Sequence, residues 1–479
     1  MRMSVNIHNA LVVVAAVVLS IPSASAAYDF VADGIYYKIT DSIANEVEVT
    51  HKGYYAPSSS YSGAIIIPDS VVHGDVTYAV TAIGEWAFYS CGSLTSVELS
   101  GVTTIGEYAF CFCESLTSVE IPAGVESIED YTFGACSGLK SVSFSENSKL
   151  STIGSHAFYC TGLTAVTIPS GVTTIGSHAF YCSGLTAVTI PSSVTTIGSY
   201  AFNSCESLTS VEMPGVTAIG EYAFSFCESL TSVEIPAGVE SIEDYTFAFS
   251  GLKSASFSEN SKLSTIGECA FIHCTSLAAV TIPSSVTTIS DNAFSQCTSL
   301  AAVTIPSSVT TIGDYAFYNC TSLAAVTIPS SVTTIGDYAF YRCDSLVDVY
   351  GINPTPPDAY RYSFYTTTYR TGTLHVPATA VEIYASTYPW SNFTNIAGDA
   401  ESGIHSVEAD AIEPAIAARD GAIEVSGIDG CTVNVYSTSG ALVATGEAGG
   451  SAINVPGDGI YIVRINAGNY EIARKVAVR

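Results

Sequence analysis

Thiols are the side chains of this chain best equipped for chemistry, and they recur at nearly constant spacing. Eleven of the fourteen cysteines follow one another as Cys91, Cys113, Cys136, Cys160, Cys182, Cys205, Cys227, Cys274, Cys297, Cys320 and Cys343, with Phe249 filling the one gap. Such a column could bridge as disulfides, ligate a metal as thiolates, or pack as small apolar groups. One cysteine per strand-like turn puts neighbouring Cα atoms ~5 Å apart, within disulfide reach. Eleven is odd, however, so at least one thiol is left over within the column. Disulfides belong mainly to small secreted domains short of core, and an apolar Phe249 in one slot points to a buried packing role. Cys111, Cys269 and Cys431 lie outside the column.

Other reactive types form weaker patterns. His156 and His178 share a second column, but no third ligand recurs beside them and a structural zinc site needs four. They read as surface residues in a Tyr-rich column. The acids Glu85, Glu107, Asp130, Glu221, Asp244, Glu268, Asp291, Asp314 and Asp337 form a third column. Loose calcium binding there is conceivable, against a solvated face that caps short helical turns. A ladder of Thr167, Thr189, Thr281, Thr304 and Thr327 faces outward with Ala partners, as good strand formers do. No Gly-x-Ser-x-Gly, His-Glu-x-x-His or phosphate-loop pattern occurs. The expectation is therefore a non-enzyme with no catalytic residues, no metal and no cofactor.

The most suggestive surface feature is aromatic. Trp86, Tyr108, Tyr131, Tyr200, Tyr222, Tyr245, Tyr315 and Tyr338 each stand two residues before a Phe, with His156, His178, Cys269 and Asn292 in the other turns. Tyr and Trp bring large, rigid contact area with a polar tip and are enriched at interfaces. The column is thus a candidate ligand-contact surface, or else a staple in which each ring half-buries against the next turn.

The element that positions these columns is a repeat of 22–25 residues. Its anchoring Phe recurs at Phe88, Phe110, Phe133, Phe158, Phe180, Phe202, Phe224, Phe247, Phe271, Phe294, Phe317 and Phe340. A Leu column runs from Leu94 to Leu346 and an Ile column from Ile83 to Ile335. Leu-x-x-Val-x-Ile has strand periodicity, and Pro ends that strand in eight turns, as at Pro122, Pro169 and Pro329. A second extended piece, Val-x-x-Ile, follows. After Gly, an acid or Ser is expected to open a short helical or 3-10 turn through Tyr-Ala-Phe. Each unit exposes an apolar face that only its neighbours can bury, so the fold class is a β-rich solenoid of about 12 parallel turns. Strand spacing makes that a rod of ~58 Å.

Acidic residues outnumber basic ones 44 to 15, which argues against a nucleic-acid binder and a polybasic membrane-surface role, and 48% of residues are hydrophobic, ample for a core. Residues 1–26 read as a secretion signal: Arg2, an apolar run Ala10–Ile21, and Ala24-Ser25-Ala26 before the cut. No later stretch has ~20 continuous apolar residues, so no transmembrane helix is expected.

The unit Leu-x-x-Val-x-Ile-Pro…Val-x-x-Ile-Gly-x-x-Ala-Phe-x-x-Cys resembles the BspA-type leucine-rich repeat of bacterial surface proteins over residues 81–349. Residues 27–80, with Gly34-Ile35-Tyr36-Tyr37 and Ile65-Ile66-Ile67-Pro68, resemble that family's N-terminal β cap. Residues 350–397, with Pro354-Thr-Pro-Pro357, Phe364 and Trp390, resemble a C-terminal cap. Segments 106–133 and 220–247 are the same but for Cys111 against Ser225, the mark of a copied five-turn block. Residues 398–420 read as a linker. Residues 421–479 read as a small β-sandwich, with strands at 423–425, 433–436, 441–443 and 459–465. Through Val435-Tyr436-Ser…Gly440, Gly459-Ile460-Tyr461 and the basic ending Arg474-Lys475…Arg479, this module resembles a type IX secretion sorting domain. The resemblances imply a secreted or cell-surface adhesin-like protein contacting extracellular proteins or glycans, with secretion machinery engaging the C-terminal module. The alternative is a structural spacer with no specific ligand.

Overall fold

A computed structural model describes residues 27–53 and 61–400, and, between 415 and 478, seven strands with a few flanking residues. The expected signal segment, 1–26, lies outside the described residues. The chain divides into two compact units, Met1–Ser402 and Gly403–Arg479.

The first unit is a solenoid of about 14 turns: the twelve of the repeat plus those its caps contribute. Alternation sets the first strand. In Ala325–Ile328 the Val and Ile point inward and the Ala and Thr outward. Pro329 has no N–H to continue the ladder, and its carbonyl accepts Val332 N at 3.1 Å, closing the turn into the second strand, Thr334–Ile335. Successive turns pair in parallel with identical residues in register, as in Ile153–Ile175–Ile197–Ile219. The core is therefore a set of columns, and every Leu, Ile and Phe of the three anchoring columns is at most 2% exposed.

The third side of each turn departs from expectation. No helix forms at Tyr-Ala-Phe; the segment is a run of turns with two left-handed residues per repeat, for example Tyr200 at φ 60° and Ser204 at φ 59°. The reason is hydrogen-bond accounting. A helix would spend all its amides on itself. Here alternate amides leave the turn: Tyr200 N, Phe202 N and Ser204 N donate to Glu221, Ala223 and Ser225 carbonyls at 2.9 Å, while Ala201 N, Asn203 N and Cys205 N close local bonds. A left-handed non-glycine costs roughly 1 kcal/mol or more, and the three inter-turn bonds offset it. Among the described residues, α-helices occur only in the C-terminal cap, the short α1 (Thr366–Thr371) and α2 (Val381–Ser386).

Both caps cover open edges. At the N-terminus β1 (Phe30–Ala32), β2 (Ile35–Asp41), β3 (Glu46–Thr50), β4 (Gly63–Ile66), β5 (Ser70–His73) and β6 (Val76–Ile83) precede the repeats. β4 pairs in parallel with the first-strand position of turn one, Leu94–Glu98, and β3 pairs in parallel with β6, whose end begins the second-strand column. Each solenoid sheet thus meets a paired strand rather than water. The Phe rings stack at 4.9–5.6 Å from Phe88 to Phe340. Tyr61 covers Phe88 at 4.5 Å, and Phe364 continues the stack to Trp390, Tyr369 and Phe393. The cap also runs further than residue 397: Ala400 N donates to Val376 O and Asp399 holds His375.

The second unit has two antiparallel sheets. One orders 442–447, 432–437, 459–467 and 470–478; the other orders 415–419, 422–426 and 453–454. Ile423, Val425, Val433, Val435, Ile453, Tyr461 and Val463 form its core. Ala415–Arg419, expected as linker, pairs with Ala422–Ser426 as a strand. Alternating Ala and Ile with Arg suit a strand as well as a spacer, and the pairing partner decides.

Candidate binding surface

The aromatic column is a continuous stack. Trp86, Tyr108, Tyr131, His156, His178, Tyr200, Tyr222 and Tyr245 lie with ring centroids 4.1–4.7 Å apart and planes within 9° of parallel. Left-handed backbone at each of these residues aims the rings along the solenoid. Cys269 and Asn292 interrupt the stack, which resumes at Tyr315, Tyr338 and Tyr362. Ring faces cover one another and the edges remain partly exposed, most of all at Tyr362 (38%), which ends the stack, and Tyr315 (36%), beside the interruption. Burial, with Tyr131 next, pushes the Tyr108 hydroxyl up to about 12, and burial likewise raises Tyr131, Tyr200 and Tyr222. These four tyrosines present neutral O–H groups at physiological pH.

His156 and His178 were expected at the surface; they are half-buried inside this stack, because the Tyr-rich column is one of stacked faces. Their Nδ1 atoms are buried without hydrogen-bond partners. Burial, then His178, pushes His156 down to about 4, and burial lowers His178. Both rings are neutral members of the stack.

The neighbouring acids grip backbone. Asp130 Oδ1 accepts Ser155 N at 2.6 Å, and Asp244, Asp291 and Asp314 accept Glu268 N, Asp314 N and Asp337 N at 2.7 Å. The capped amide belongs to the next turn rather than to a helix. Among the described residues no group of three or more His, Cys, Asp or Glu could hold a metal.

The cysteine column needs correction. Nine of its eleven expected members, all but Cys160 and Cys182, are buried. In eight of these the thiol donates to the Phe carbonyl of the preceding turn at 3.0–3.2 Å: Cys113 to Phe88, Cys136 to Phe110, Cys205 to Phe180, Cys227 to Phe202, Cys274 to Phe247, Cys297 to Phe271, Cys320 to Phe294 and Cys343 to Phe317. Cys160 is only half-buried and Cys182 is exposed. In their turns the buried slot holds Thr161 and Ser183, and Ser250 rather than Phe249 fills it further on. The Phe-to-Leu connection is one residue shorter in these three turns, so a cysteine placed by counting back from Leu falls one position before the slot. Counting forward from Phe would have separated them. No disulfide joins any of the described cysteines.

On the first-strand face, pairing lapses between Ala165–Val166 and Ala187–Thr189 while the second strands stay paired through Thr174 and Thr196. An open groove of about 340 Å³ lies there, lined by Val166, Thr167, Ile168, Ala187, Val188, Thr189 and Pro191.

Residues 70–184, 173–300 and 255–371 match the BspA type leucine-rich repeat region, six copies at a time, so more than half of the chain is covered. The chain belongs to the BspA-type leucine-rich repeat family. Among solved structures it is similar to a leucine-rich repeat protein from Bacteroides ovatus, 26% identical over 74% of this chain and 96% of that one, with a TM-score of 0.55. A leucine-rich cell surface protein from Faecalibacterium prausnitzii is 26% identical over 68% and 95% of the two chains, TM-score 0.40. The pneumococcal vaccine antigen PcpA is 16% identical over 78% and 99%, TM-score 0.41. No curated protein matches the sequence.

Proposed function

We propose that this protein is a secreted or cell-surface, adhesin-like binder that contacts host matrix proteins, glycans or other cells through the aromatic and acidic side of its solenoid. Repeat proteins of this family are generally non-enzymatic binding or structural proteins, typically surface-located or secreted. No helix among the described residues is long and apolar enough to cross a membrane. The observation that carries the reading is the eight-ring stack from Trp86 to Tyr245: rigid, in register, with partly exposed edges and hydroxyls beside a row of carboxylates. Rigid aromatic edges lose little entropy on contact, and an extended partner meets the same chemistry every turn. The C-terminal unit, on this reading, addresses the protein to its secretion machinery and takes no part in binding.

The test uses Tyr200→Phe, Tyr222→Phe and Tyr245→Phe combined, which keeps the stack and removes three hydroxyls. Binding to immobilised collagen, laminin and mucin glycans should fall about tenfold or more for whichever the parent protein retains, ~1.4 kcal/mol per decade. The face-to-face stacking itself favours a second reading, a stapled spacer; a parent that retains none of these, and a variant altered only in melting temperature, would select it.

A further inference from the structure

Cys160 and Cys182 stand apart from the nine buried column cysteines. They sit at the same position of consecutive turns, one residue before the buried slot, both left-handed at φ 52° and 56°. Each amide makes the same inter-turn bond, Cys160 N to Tyr181 O and Cys182 N to Asn203 O, both 2.8 Å. The rings next to them, Tyr159 and Tyr181, stack at 5.0 Å and 11°, which shows the spacing and parallel aim of side chains leaving these two turns. Stacked backbones about 4.8 Å apart bring same-position Cα atoms of consecutive turns within the range a disulfide requires. Cys160 is half-buried and Cys182 is exposed. They precede the connections that lead into Ala165–Val166 and Ala187–Thr189, one of four neighbouring pairs of first strands that do not pair.

We propose that Cys160 and Cys182 form a redox-reactive dithiol, a site for an external disulfide, which closes to a cross-turn bridge by thiol–disulfide exchange. The Cys182 thiolate attacks one sulfur of R–S–S–R, forming a mixed disulfide and expelling RS⁻, which takes up a proton. Cys160 then gives its proton to solvent and attacks the Cys182 sulfur, expelling the second RS⁻. Two electrons pass from the protein dithiol to the external disulfide, which leaves as two thiols.

Selectivity follows from what the other thiols already do. Column cysteines donate to Phe carbonyls inside the core, and burial pushes Cys205 and Cys343 up to about 12 and Cys274 up to about 11. The neighbouring Cys160 thiol holds Cys182 down at about 7, against burial and Glu206. A thiolate near neutral pH and an accessible sulfur are what exchange needs. The bridge would also tie two turns whose first strands are unpaired, one of four such lapses along that face.

The full chain is treated with oxidised glutathione near neutral pH, remaining thiols are alkylated, and peptides are mapped by mass spectrometry. The expected product is a Cys160–Cys182 bridge with the nine buried column cysteines alkylated only after denaturation. Cys160→Ser should accumulate glutathione on Cys182, and Cys182→Ser should slow modification of Cys160 at least tenfold. Ser90 and Ser204 occupy this position in other turns, so both variants keep the fold. Bridging among Cys205, Cys227 or other buried members at a comparable rate, or Cys160 and Cys182 surviving as thiols, overturns the proposal.

Discussion

Phe110 offers its carbonyl to the thiol of Cys136, one turn on, at 3.0 Å. The cysteine therefore joins turns as well as filling space, and Phe110 ties into the next turn through both ring and backbone. Cys297, bonded the same way to Phe271, is a clean test. Cys297→Ala should cost about 1–2 kcal/mol, combining a lost hydrogen bond and a small void. Cys297→Ser should cost less, since Ser183 and Ser250 occupy that slot elsewhere. Urea midpoints of the two variants decide the order; a more damaging Ser would show that the slot demands apolarity alone.

The stacked histidines make the fold acid-sensitive. His156 is held down at about 4 and His178 is lowered, both by burial first, whereas an unfolded histidine titrates near about 6.5. Between those values the unfolded chain binds more protons, so stability drops as pH falls from about 6.5 toward 4 and is unaffected above that window. Replacing both by Tyr, the commonest residue of the stack, should flatten the acid limb of melting temperature against pH. Parallel limbs for parent and variant would count against it.

His375 works in the opposite sense. Burial alone would lower it, but Asp399 at 2.8 Å and Asp348 at 3.1 Å prevail and raise it. Its stabilisation is complete below about 6.5 and fades as pH rises through the raised value. His375→Gln should therefore destabilise most near pH 6 and converge on the parent by about pH 9. An equal penalty across that range would reduce the contact to neutral packing on Tyr350.

Tyr61 should be the weak point of the N-terminal cap. It covers Phe88, donates to Thr50 O at 2.5 Å and accepts Tyr36 N at 3.1 Å. Tyr61→Phe should cost about 1–2 kcal/mol and Tyr61→Ala about 3–5, with oligomers appearing in the latter by light scattering. A monomeric Tyr61→Ala protein with unchanged melting would make the segment an appendage.

Truncation after Ser402 should leave the solenoid's melting and binding unchanged, since the contact units divide there. Truncation after Gly398 removes Asp399 and the Ala400–Val376 bond and should melt earlier. If the C-terminal unit is a sorting domain, the Ser402 truncation also fails to reach the cell surface, which protease shaving of intact cells measures. Equal display would return it to an accessory β-domain.

What sequence revealed and what it hid divide along one line. Columns of Leu, Ile and Phe were legible because inward apolar residues recur whatever lies between them. Tyr200-Ala201-Phe202 was misread because Ser-Tyr-Ala-Phe is locally a good helix start; the bonds to Glu221 and Ala223 that overrule it are 21 residues away. Cys160 and Cys182 were misplaced by a single missing residue, which reverses a side chain's aim while barely altering the period. The His375 clamp was invisible because Asp348 and Asp399 flank it at distances that no local pattern marks.

Trp86 closes the N-terminal end of the ring stack, while the other tryptophan, Trp390, sits buried in the opposite cap. Tyrosine emission overlaps tryptophan absorption, so Tyr108 and Tyr131, the rings stacked next to Trp86, are placed to pass absorbed light to it, while the imidazoles of His156 and His178 separate them from Tyr200, Tyr222 and Tyr245. The molecule carries its own optical readout: tyrosine-excited emission from Trp86 reports whether the first turns of the ladder, Trp86 to Tyr131, are in register.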